Sequence, residues 1–274
     1  MTESILIVGA TGQLGTRLIG QLSAAGIKPR ALVRSQKKGE AIASMATPVI
    51  GDLLAPETLA DAFRGAERVF IVAPPLPEME ALERNAIDAA VAGGAKRIVY
   101  LSNFAATEGS ELRPMHVHGL HERLIASQGA GWTVLGPTRY MTNFPFNWPS
   151  VLNDGLLLEA GGPGVMTCID PDDVAAVAVK ALTADGHEGQ TYRLTSDDAF
   201  TAADLAALLS KFLRREVRVF ESNGERAPTA GYFGLVAAGV YKTTGTAAKV
   251  LGRKPRSYAQ WLGDNLPGIL SRAA

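Results

Sequence analysis

The sequence predicts an α/β fold built on a doubly wound parallel sheet, with a smaller C-terminal substrate lobe. Strand-like and helix-like segments alternate through the first half of the chain, as they do in βα units joined in series. A glycine-rich turn joins the first strand to the first helix. Beyond residue 138 the alternation stops, and a stretch rich in Pro, Gly and Asn begins. These three observations predict a regular core followed by a lobe of different character.

The elements of the core follow from short apolar runs separated by amphipathic segments. Apolar runs favour strands at 5–8, 28–33, 48–50, 68–72, 97–101 and 132–135. Helical periodicity predicts helices near 12–25, 36–45, 56–64, 77–93 and 116–128. Because crossovers between parallel strands are right-handed, these helices are expected on both faces of the sheet.

The second half of the chain carries different signals. Residues 140–164 are expected to form a long loop over a site, because Pro, Gly and Asn are frequent there. Asp170, which precedes a proline, and Thr201 each mark the start of a helix. Further strands are expected at 191–194 and 217–220.

The length of the chain, 274 residues, fits one large domain, and an apolar share of 47% is enough to fill a sizeable core. We expect a single domain over 1–274. Its Rossmann core would comprise about 1–138 and the returning segment 165–195, and its substrate or lid parts about 139–164 and 196–274.

Charge and cysteine content narrow the possible partners. Lys and Arg total 27, as do Asp and Glu, so the net charge is zero and neither a nucleic acid nor a membrane is an expected partner. The only cysteine, Cys168, leaves no disulfide framework and predicts a cytoplasmic protein. Cys168 lies in an apolar run and is expected to be buried. No secretory signal precedes the first strand, and the longest apolar run, 231–241, is too short to span a membrane.

The glycine-rich turn is typical of a dinucleotide site. Gly9 lets the chain turn off the strand, Gly12 lets backbone N–H groups approach a pyrophosphate, and Gly15 lets the helix pack closely. Thr11, Gln13 and Leu14 complete the turn, and the helix N-terminus would supply donors to the phosphates. A tight strand–helix turn without a ligand is the alternative.

The residues after the second strand favour NADP(H) over NAD(H). An NAD site usually places an acid there to bind the ribose 2′-hydroxyl, whereas this chain has Arg34, followed by Lys37 and Lys38. A guanidinium can pair with a 2′-phosphate, although a solvated basic helix start would look the same. Asp52 and Leu53 follow the third strand, where Asp52 could accept a hydrogen bond from the adenine or cap the next helix.

Together these residues resemble the NmrA-like family of atypical short-chain dehydrogenases. The resemblance spans nearly the whole chain and is carried by four stretches: residues 9–15, 33–34, 51–53 and 135–144. Gly136 stands where the family usually has Arg. The resemblance implies an NAD(P)-binding fold and, within the family, a branch similar to NAD(P)H:quinone oxidoreductases or festuclavine dehydrogenases. Related members bind NADP without turnover, as redox sensors.

The usual catalytic pair of short-chain dehydrogenases, Tyr-x-x-x-Lys, is missing, since no tyrosine is followed four residues later by lysine. Matching Glu122 to the family's Glu places His118 at the Lys position and Pro114 at the Tyr position. Reducing an ordinary ketone needs a proton donor for the alkoxide, whereas an iminium or a quinone can be reduced without a strong proton donor in the site. We therefore predict hydride transfer to a quinone or an iminium-like acceptor. A non-catalytic NADP(H) sensor is the alternative. A nucleotide-sugar epimerase or dehydratase is a third hypothesis, which the missing tyrosine disfavours.

The remaining candidate residues follow the ends of the predicted strands, which border the ligand crevice in an open sheet. His118, Ser102 and Tyr140 are the catalytic candidates, and His118 could equally be a solvated histidine. Candidates for the cofactor also include Ala73, Pro74, Ser102, Asn103, His118 and Pro137. A planar substrate would lie against Tyr140, Phe144, Phe146 and Trp148, unless these aromatic residues only pack the lobe. No metal site is predicted, and a homodimer is compatible with the sequence.

Overall fold

The computed structural model describes residues 4–143, 148–159, 164–221 and 230–273. Strands are β1(Ile5–Ile7), β2(Arg30–Val33), β3(Thr47–Ile50), β4(Arg68–Ile71), β5(Arg97–Leu101), β6(Gly131–Pro137), β7(Arg139–Tyr140), β8(Leu156–Glu159), β9(Met166–Ile169), β10(Gln190–Leu194), β11(Ala199–Phe200) and β12(Arg218–Glu221). Helices are α1(Gln13–Ala24), α2(Gln36–Glu40), α3(Leu59–Phe63), α4(Met79–Ala92), α5(Arg113–Ala126), α6(Trp148–Asp154), α7(Pro171–Thr183), α8(Ala202–Leu213), α9(Ala230–Ala237), α10(Thr246–Leu251) and α11(Tyr258–Ala273), and a 3-10 turn covers Pro56–Thr58.

The chain divides into two compact units. The first comprises Met1–Pro137 and Val174–Arg193, and the second comprises Thr138–Asp173 and Leu194–Ala274. In the first unit the described strands form a seven-stranded sheet in the order β3-β2-β1-β4-β5-β6-β10. Neighbouring strands from β3 to β6 pair in parallel. The predicted doubly wound parallel sheet is confirmed.

The core of the first unit explains why these segments form strands. Alternate residues such as Leu6, Val69 and Ile98 pack against apolar residues of α3, α4 and α5, including Phe63 and Ile87. The residues between them on each strand are buried as well. Burial on both sides is what a parallel sheet covered by helices requires.

Helix boundaries differ most from the prediction in α2 and at the start of α5, and the predicted helix 56–64 divides into the 3-10 turn and α3. The predicted helix 36–45 ends at Glu40, because the following residues make turn bonds such as Ile42 N–H to the Gly39 carbonyl at 3.1 Å. α5 begins at Arg113 rather than 116. Pro114 is tolerated there, because a residue in the first turn has no intrahelical N–H bond to lose.

The second unit contains two small sheets, β11-β9-β7 and β12-β8, together with helices. The prediction of a long loop over 140–164 is wrong for residues 148–159, which form α6 and β8. Trp148 and Val151 lie three residues apart on one face of α6 and are both buried, which gives this short helix its support. Phe144 and Phe146 lie outside the described residues. The predicted helix start at Thr201 is confirmed by a capping box with Asp204.

The C-terminal segment returns to the start of α7 within the second unit. Asp170 precedes α7 and accepts a hydrogen bond from the Asp172 N–H at 3.0 Å. Its other oxygen binds the Arg256 guanidinium at 2.9 Å. Burial raises the pKa of the Asp170 carboxyl, with Arg256 opposing that rise. Asp173 accepts from the Arg256 N–H at 2.7 Å and pairs with Arg253 at 2.7 Å.

Cys168 is buried in β9, as predicted, with 1% of its surface exposed. Burial raises the pKa of its thiol well above the ordinary value. The side chain therefore packs as a small apolar group rather than acting as a nucleophile. Within the described ranges, every helix is too short or too polar to cross a membrane.

Candidate functional site

The glycine turn after β1 has the geometry that its spacing predicts. Gly9 has φ +75°, in the left-handed region, and a Cβ there would lie 2.5 Å from the Val72 carbonyl oxygen. A Cβ on Gly15 would overlap the Gly9 carbonyl oxygen and lie 2.8 Å from Ala10 Cα. The N–H of Gly12 donates to the Gly9 carbonyl at 3.0 Å and closes the turn. Two of the three glycines are therefore required by the packing of the turn itself.

The outer side of this turn fits a pyrophosphate. Thr11, Gly12 and Gln13 are exposed, whereas Leu14 is buried and anchors α1 to the core. Gly12 is the N-cap of α1, where no side chain caps the helix, and the first turn of α1 holds no acid. Backbone donors and the positive end of the helix dipole therefore face the open side, as an anion site requires.

Arg34 is exposed directly after β2, and Lys37 and Lys38 are exposed on the following helix. Within the described part of the chain, Arg34 makes no hydrogen bond or ion pair. Its guanidinium is therefore available to a phosphate without first breaking an internal contact.

Asp52 serves its own turn in the structure. Its Oδ1 accepts from the Leu54 N–H at 3.0 Å, and its N–H donates to Thr58 Oγ1 at 2.9 Å. The carbonyl of Leu53 accepts from Asn85 Nδ2 at 2.7 Å. Asp52 does not cap the following helix, because Ala55 is the N-cap of the 3-10 turn and no side chain caps it. The other carboxylate oxygen of Asp52 makes no hydrogen bond among the described residues.

The ends of the neighbouring strands place the other cofactor candidates. Ala73 is half-buried and Pro74 is exposed after β4. Asn103 follows β5 and uses its side-chain oxygen to accept from the Ala105 N–H at 3.0 Å. Pro137 ends β6, is buried, and accepts from the Phe104 N–H at 2.9 Å. All four lie at the carboxyl ends of parallel strands, where ligands bind in such sheets.

Two side-chain pairs join β5 to α5. Tyr100 in β5 and Ser102, the residue directly after β5, are two residues apart in extended chain, where side chains two apart share a face. His118 and Glu122 are four residues apart on α5 and also share a face. The Tyr100 hydroxyl lies 2.8 Å from His118 Nδ1, and the Ser102 hydroxyl donates to Glu122 Oε1. Strand and helix periodicity together therefore align Tyr100 with His118 and Ser102 with Glu122.

Arg193 of β10 completes the Ser102 pair. Its guanidinium binds both oxygens of Glu122, at 2.7 and 2.8 Å, and donates to the Asn103 carbonyl at 3.0 Å. A Cβ on Gly136 would overlap this guanidinium and lie 2.9 Å from Arg193 Cδ. Gly136, which replaces the usual Arg of the family, thus leaves the space that Arg193 fills from the next strand.

The Tyr100 pair continues into a fully buried carboxyl group. The Tyr100 hydroxyl donates to Glu83 Oε2 at 2.6 Å, and His121 Nδ1 lies 2.7 Å from the same oxygen. Glu83 and Tyr100 are each 0% exposed. Glu83 Oε1 lies 3.7 Å from His118 Nδ1 and has no hydrogen-bond partner among the described residues. No lysine or arginine side chain neutralises this carboxyl group within the described part of the chain.

The direction of the Tyr100–Glu83 hydrogen bond in this structure goes with one tautomer of His118. Because the Tyr100 proton goes to Glu83, the Tyr100 oxygen accepts from His118 Nδ1–H. The other ring nitrogen, Nε2, is then an acceptor, and 15% of the side chain is exposed. Burial lowers the pKa of His118 below its ordinary 6.5, with Glu83 and Glu122 opposing and His121 and Arg193 adding to the shift. The imidazole is therefore neutral at neutral pH.

Four residues of this arrangement were not predicted as part of the site from the sequence. They are Tyr100, which bonds His118, together with Glu83, His121 and Arg193. Of the predicted substrate residues, Tyr140 lies half-buried in β7 and Trp148 is 6% exposed in α6, both in the second unit. A signal for Glu83 was present: it stands on the face of α4 that is otherwise apolar, with Leu82 and Ile87.

Replacing Arg193 tests the Ser102–Glu122–Arg193 group. We expect Arg193→Ala to lower the free energy of unfolding by about 2–3 kcal/mol, because a half-buried carboxylate loses two charge-assisted bonds. Urea unfolding measures this. The matched control is Arg64→Ala, whose pair with Asp61 is 77% and 85% exposed, for which at most about 1 kcal/mol is expected. Equal losses in the two variants would contradict the assignment.

His118 makes stability depend on pH in a defined direction. Its pKa is lowered in the folded state, so between that value and the ordinary 6.5 the unfolded chain binds more protons. The free energy of unfolding therefore falls as pH drops below about 6.5 and levels off below the folded-state pKa. We expect His118→Asn to lose less stability than the wild type between pH 7 and pH 5, measured by urea unfolding at each pH. If His118→Asn lost more stability than the wild type between pH 7 and pH 5, the lowered pKa of His118 in the folded state would be contradicted.

The fold and the glycine turn define an α/β dinucleotide-binding protein of the dehydrogenase class. A family model described as NAD(P)H-binding matches residues 9–185. The chain belongs to this NAD(P)H-binding family, among the NmrA-like atypical short-chain dehydrogenases, and is an NAD(P)H-dependent oxidoreductase. The family and class that the sequence predicts are thus confirmed.

Three similar proteins carry functional names. An NAD(P)H azoreductase of Xenophilus azovorans is 31% identical over 272 residues, which are 98% of this chain and 94% of that protein. The structure of an NADPH-dependent quinone oxidoreductase from Escherichia coli, complexed with NADPH, has a TM-score of 0.83 and 28% identity, covering 96% of this chain and 99% of that one. A Citrobacter triphenylmethane reductase complexed with NADP(H) has a TM-score of 0.84 and 26% identity, covering 94% and 98%.

Proposed function

We propose that this chain transfers hydride from NADPH to a planar, electron-poor acceptor such as a quinone, an azo compound or an iminium-like cation. The observation that carries the proposal is that no tyrosine is followed four residues later by lysine, while the Lys and Tyr positions matched through Glu122 hold a neutral, half-buried His118 and Pro114. Such a site lacks the acidic phenol that protonates an ordinary alkoxide. It suits acceptors whose reduced form is a stable anion or a neutral amine.

Tyr100 does not replace the missing tyrosine directly. It is fully buried, and burial together with Glu83 raises its pKa well above the ordinary 10. A phenol that is closed to solvent cannot touch an acceptor, and its raised pKa makes it a weak acid. This supports an acceptor that is easily reduced rather than one that needs strong acid catalysis.

The cofactor would lie along the carboxyl ends of β1, β2, β4 and β5. The turn from Gly9 to Gly15 would hold the pyrophosphate, and Arg34 would pair with the 2′-phosphate of NADPH. His118, whose side chain is 15% exposed, would face the nicotinamide half and the acceptor. Ser102 is buried and donates its hydroxyl to Glu122, so it would hold the end of β5 in place. The bound nicotinamide supplies the hydride, and the protein supplies position.

The names of the similar proteins agree with this substrate class. They are an azoreductase, a quinone oxidoreductase and a triphenylmethane reductase. Quinones, azo dyes and triphenylmethane dyes are all planar or conjugated acceptors of two electrons. This chemistry, which is common to the substrates of all three similar proteins, supports the proposed class of acceptor and not one particular substrate.

The test is oxidation of NADPH, followed at 340 nm, with a set of quinones, an azo dye and a cationic triphenylmethane dye. We expect at least one acceptor to be reduced, with NADPH preferred to NADH. Ketones and aldehydes serve as controls and should be poor acceptors. Tight binding of NADPH without oxidation by any acceptor would instead favour a sensor. Rapid reduction of simple ketones would contradict the role assigned to the missing tyrosine.

A further inference from the structure

The connected side chains Glu83, Tyr100 and His118 form a path from a buried carboxyl group to the candidate site. Their polar atoms are joined by hydrogen bonds of 2.6 and 2.8 Å. Only His118, at one end, is exposed, while Glu83 and Tyr100 are fully buried. Beyond Glu83 the path meets His121, whose side chain is 4% exposed, so His118 is the more open of its two ends.

Glu83 lies at the buried end of this path, where no lysine or arginine side chain of the described residues reaches it. A fully buried carboxylate is costly unless it is paired, and among the described residues the basic groups within 4 Å of Glu83 are the imidazoles of His118 and His121. Glu83 Oε2 receives Tyr100 and His121, but Oε1 has no hydrogen-bond partner in the described ranges. Tyr100 on β5, His118 and His121 on α5, and Glu83 on α4 are the titratable groups that meet here, with Glu122 and Arg193 acting on His118 from further away.

We propose that Glu83, Tyr100 and His118 form a proton relay that supplies the proton consumed when the acceptor is reduced. The inference rests on the proposed function. Before the reaction, Glu83 carries a proton that it donates to the Tyr100 oxygen, Tyr100 donates to His118 Nδ1, and His118 Nε2–H faces the acceptor. His118 is thereby both an acid and a base without becoming a buried cation.

The step is balanced in atoms and electrons. NADPH gives one hydride, carrying two electrons, to the acceptor, which becomes an anion. That anion takes the proton from His118 Nε2, the Tyr100 proton moves to His118 Nδ1, and the Glu83 proton moves to the Tyr100 oxygen. Glu83 is left as a carboxylate that accepts from Tyr100 and from His121 Nδ1, the arrangement seen at 2.6 and 2.7 Å. After the product leaves, water at His118 Nε2 returns one proton and reverses the shifts.

The test compares acceptors that need a proton with one that does not. A quinone or an azo dye takes a hydride and a proton, whereas a triphenylmethane cation takes a hydride alone. We expect Tyr100→Phe and Glu83→Gln to slow quinone or azo reduction by roughly 100-fold, the size of a general acid contribution, and to leave dye reduction little changed. The control is Tyr192→Phe, which removes a second Tyr–His pair, with His187 at 2.9 Å, outside the relay.

Two further readouts keep the relay separate from the proposed function. Nitrogen NMR of the cofactor-free protein should show that Tyr100→Phe shifts the His118 imidazole and not that of His187, with the reverse for Tyr192→Phe. If the dye is not a substrate, the solvent deuterium isotope effect on quinone reduction tests the relay instead. Its loss in Tyr100→Phe would support the relay, and an unchanged isotope effect would contradict it. Equal slowing with both kinds of acceptor, or no slowing with either, would overturn the relay. Failure of the wild type with every acceptor would overturn the proposed function instead.

Discussion

Gly15→Ala should nearly abolish cofactor binding. The new Cβ would overlap the Gly9 carbonyl oxygen and lie 2.8 and 2.9 Å from backbone atoms of Ala10. None of these is a flexible side chain that can move aside, so α1 must shift away from the turn. We expect the dissociation constant of NADPH to rise roughly 100-fold, which corresponds to about 2.7 kcal/mol. Overpacking should also lower the free energy of unfolding by about 1–3 kcal/mol.

The matched control is Gly20→Ala on the same helix. A Cβ there would meet nothing within 4 Å. Because alanine favours a helix over glycine, this variant should be unchanged or more stable by up to about 1 kcal/mol, with normal NADPH affinity. Isothermal titration with NADPH and urea unfolding on both variants provide the comparison. Normal binding by Gly15→Ala would mean that the turn does not hold the cofactor.

Arg34→Glu should reverse the preference between the two nicotinamide cofactors. A charge-assisted bond from a guanidinium to a phosphate contributes about 1.5–3 kcal/mol, and a carboxylate at the same place adds repulsion. We therefore expect the KM for NADPH to rise roughly 100-fold, since about 2.7 kcal/mol corresponds to that factor. The KM for NADH should change little, because NADH has no 2′-phosphate.

Lys28→Glu is the control for a general effect of charge. It makes the same change of charge near the other end of β2, where Lys28 is also exposed. Steady-state kinetics with NADPH and NADH on the two variants separate a local contact from a long-range one. An equal loss with both cofactors in Arg34→Glu would remove Arg34 from the 2′-phosphate site.

The fold could be predicted because its signals are local. Each core strand is a short apolar run, and the Gly15 position is required by contacts with Gly9 and Ala10 in the same turn, although the Cβ contacts that exclude other residues at Gly9 come from the distant Val72. The second unit was harder to predict, because its elements lack such clear local signals. α6 is supported by burial of Trp148 and Val151, which the frequent Pro and Asn around them conceal in the sequence.

The candidate site was only partly predictable, because its contacts are distant in sequence. The match to Glu122 predicts His118, and the end of the fifth strand predicts Ser102, but neither predicts the groups behind their partners. Glu83 of α4 bonds Tyr100, and Arg193 of β10 bonds Glu122. Nothing local marks Arg193 as the guanidinium that fills the space left by Gly136. Glu83 did have a local signal, as the charged residue on the buried face of α4, and such a residue indicates a buried polar partner elsewhere.

Direct hydride transfer is the central claim, and a single-turnover experiment tests it most directly. The purified protein is loaded with NADPH carrying deuterium on one face of nicotinamide C4, then on the other, and is mixed rapidly with a quinone while absorbance at 340 nm is followed. We expect fast oxidation that deuterium slows on one face only, because the site would hold the nicotinamide ring in one orientation against the acceptor. Bound NADPH that no acceptor oxidises, or oxidation that is indifferent to the labelled face, would contradict it.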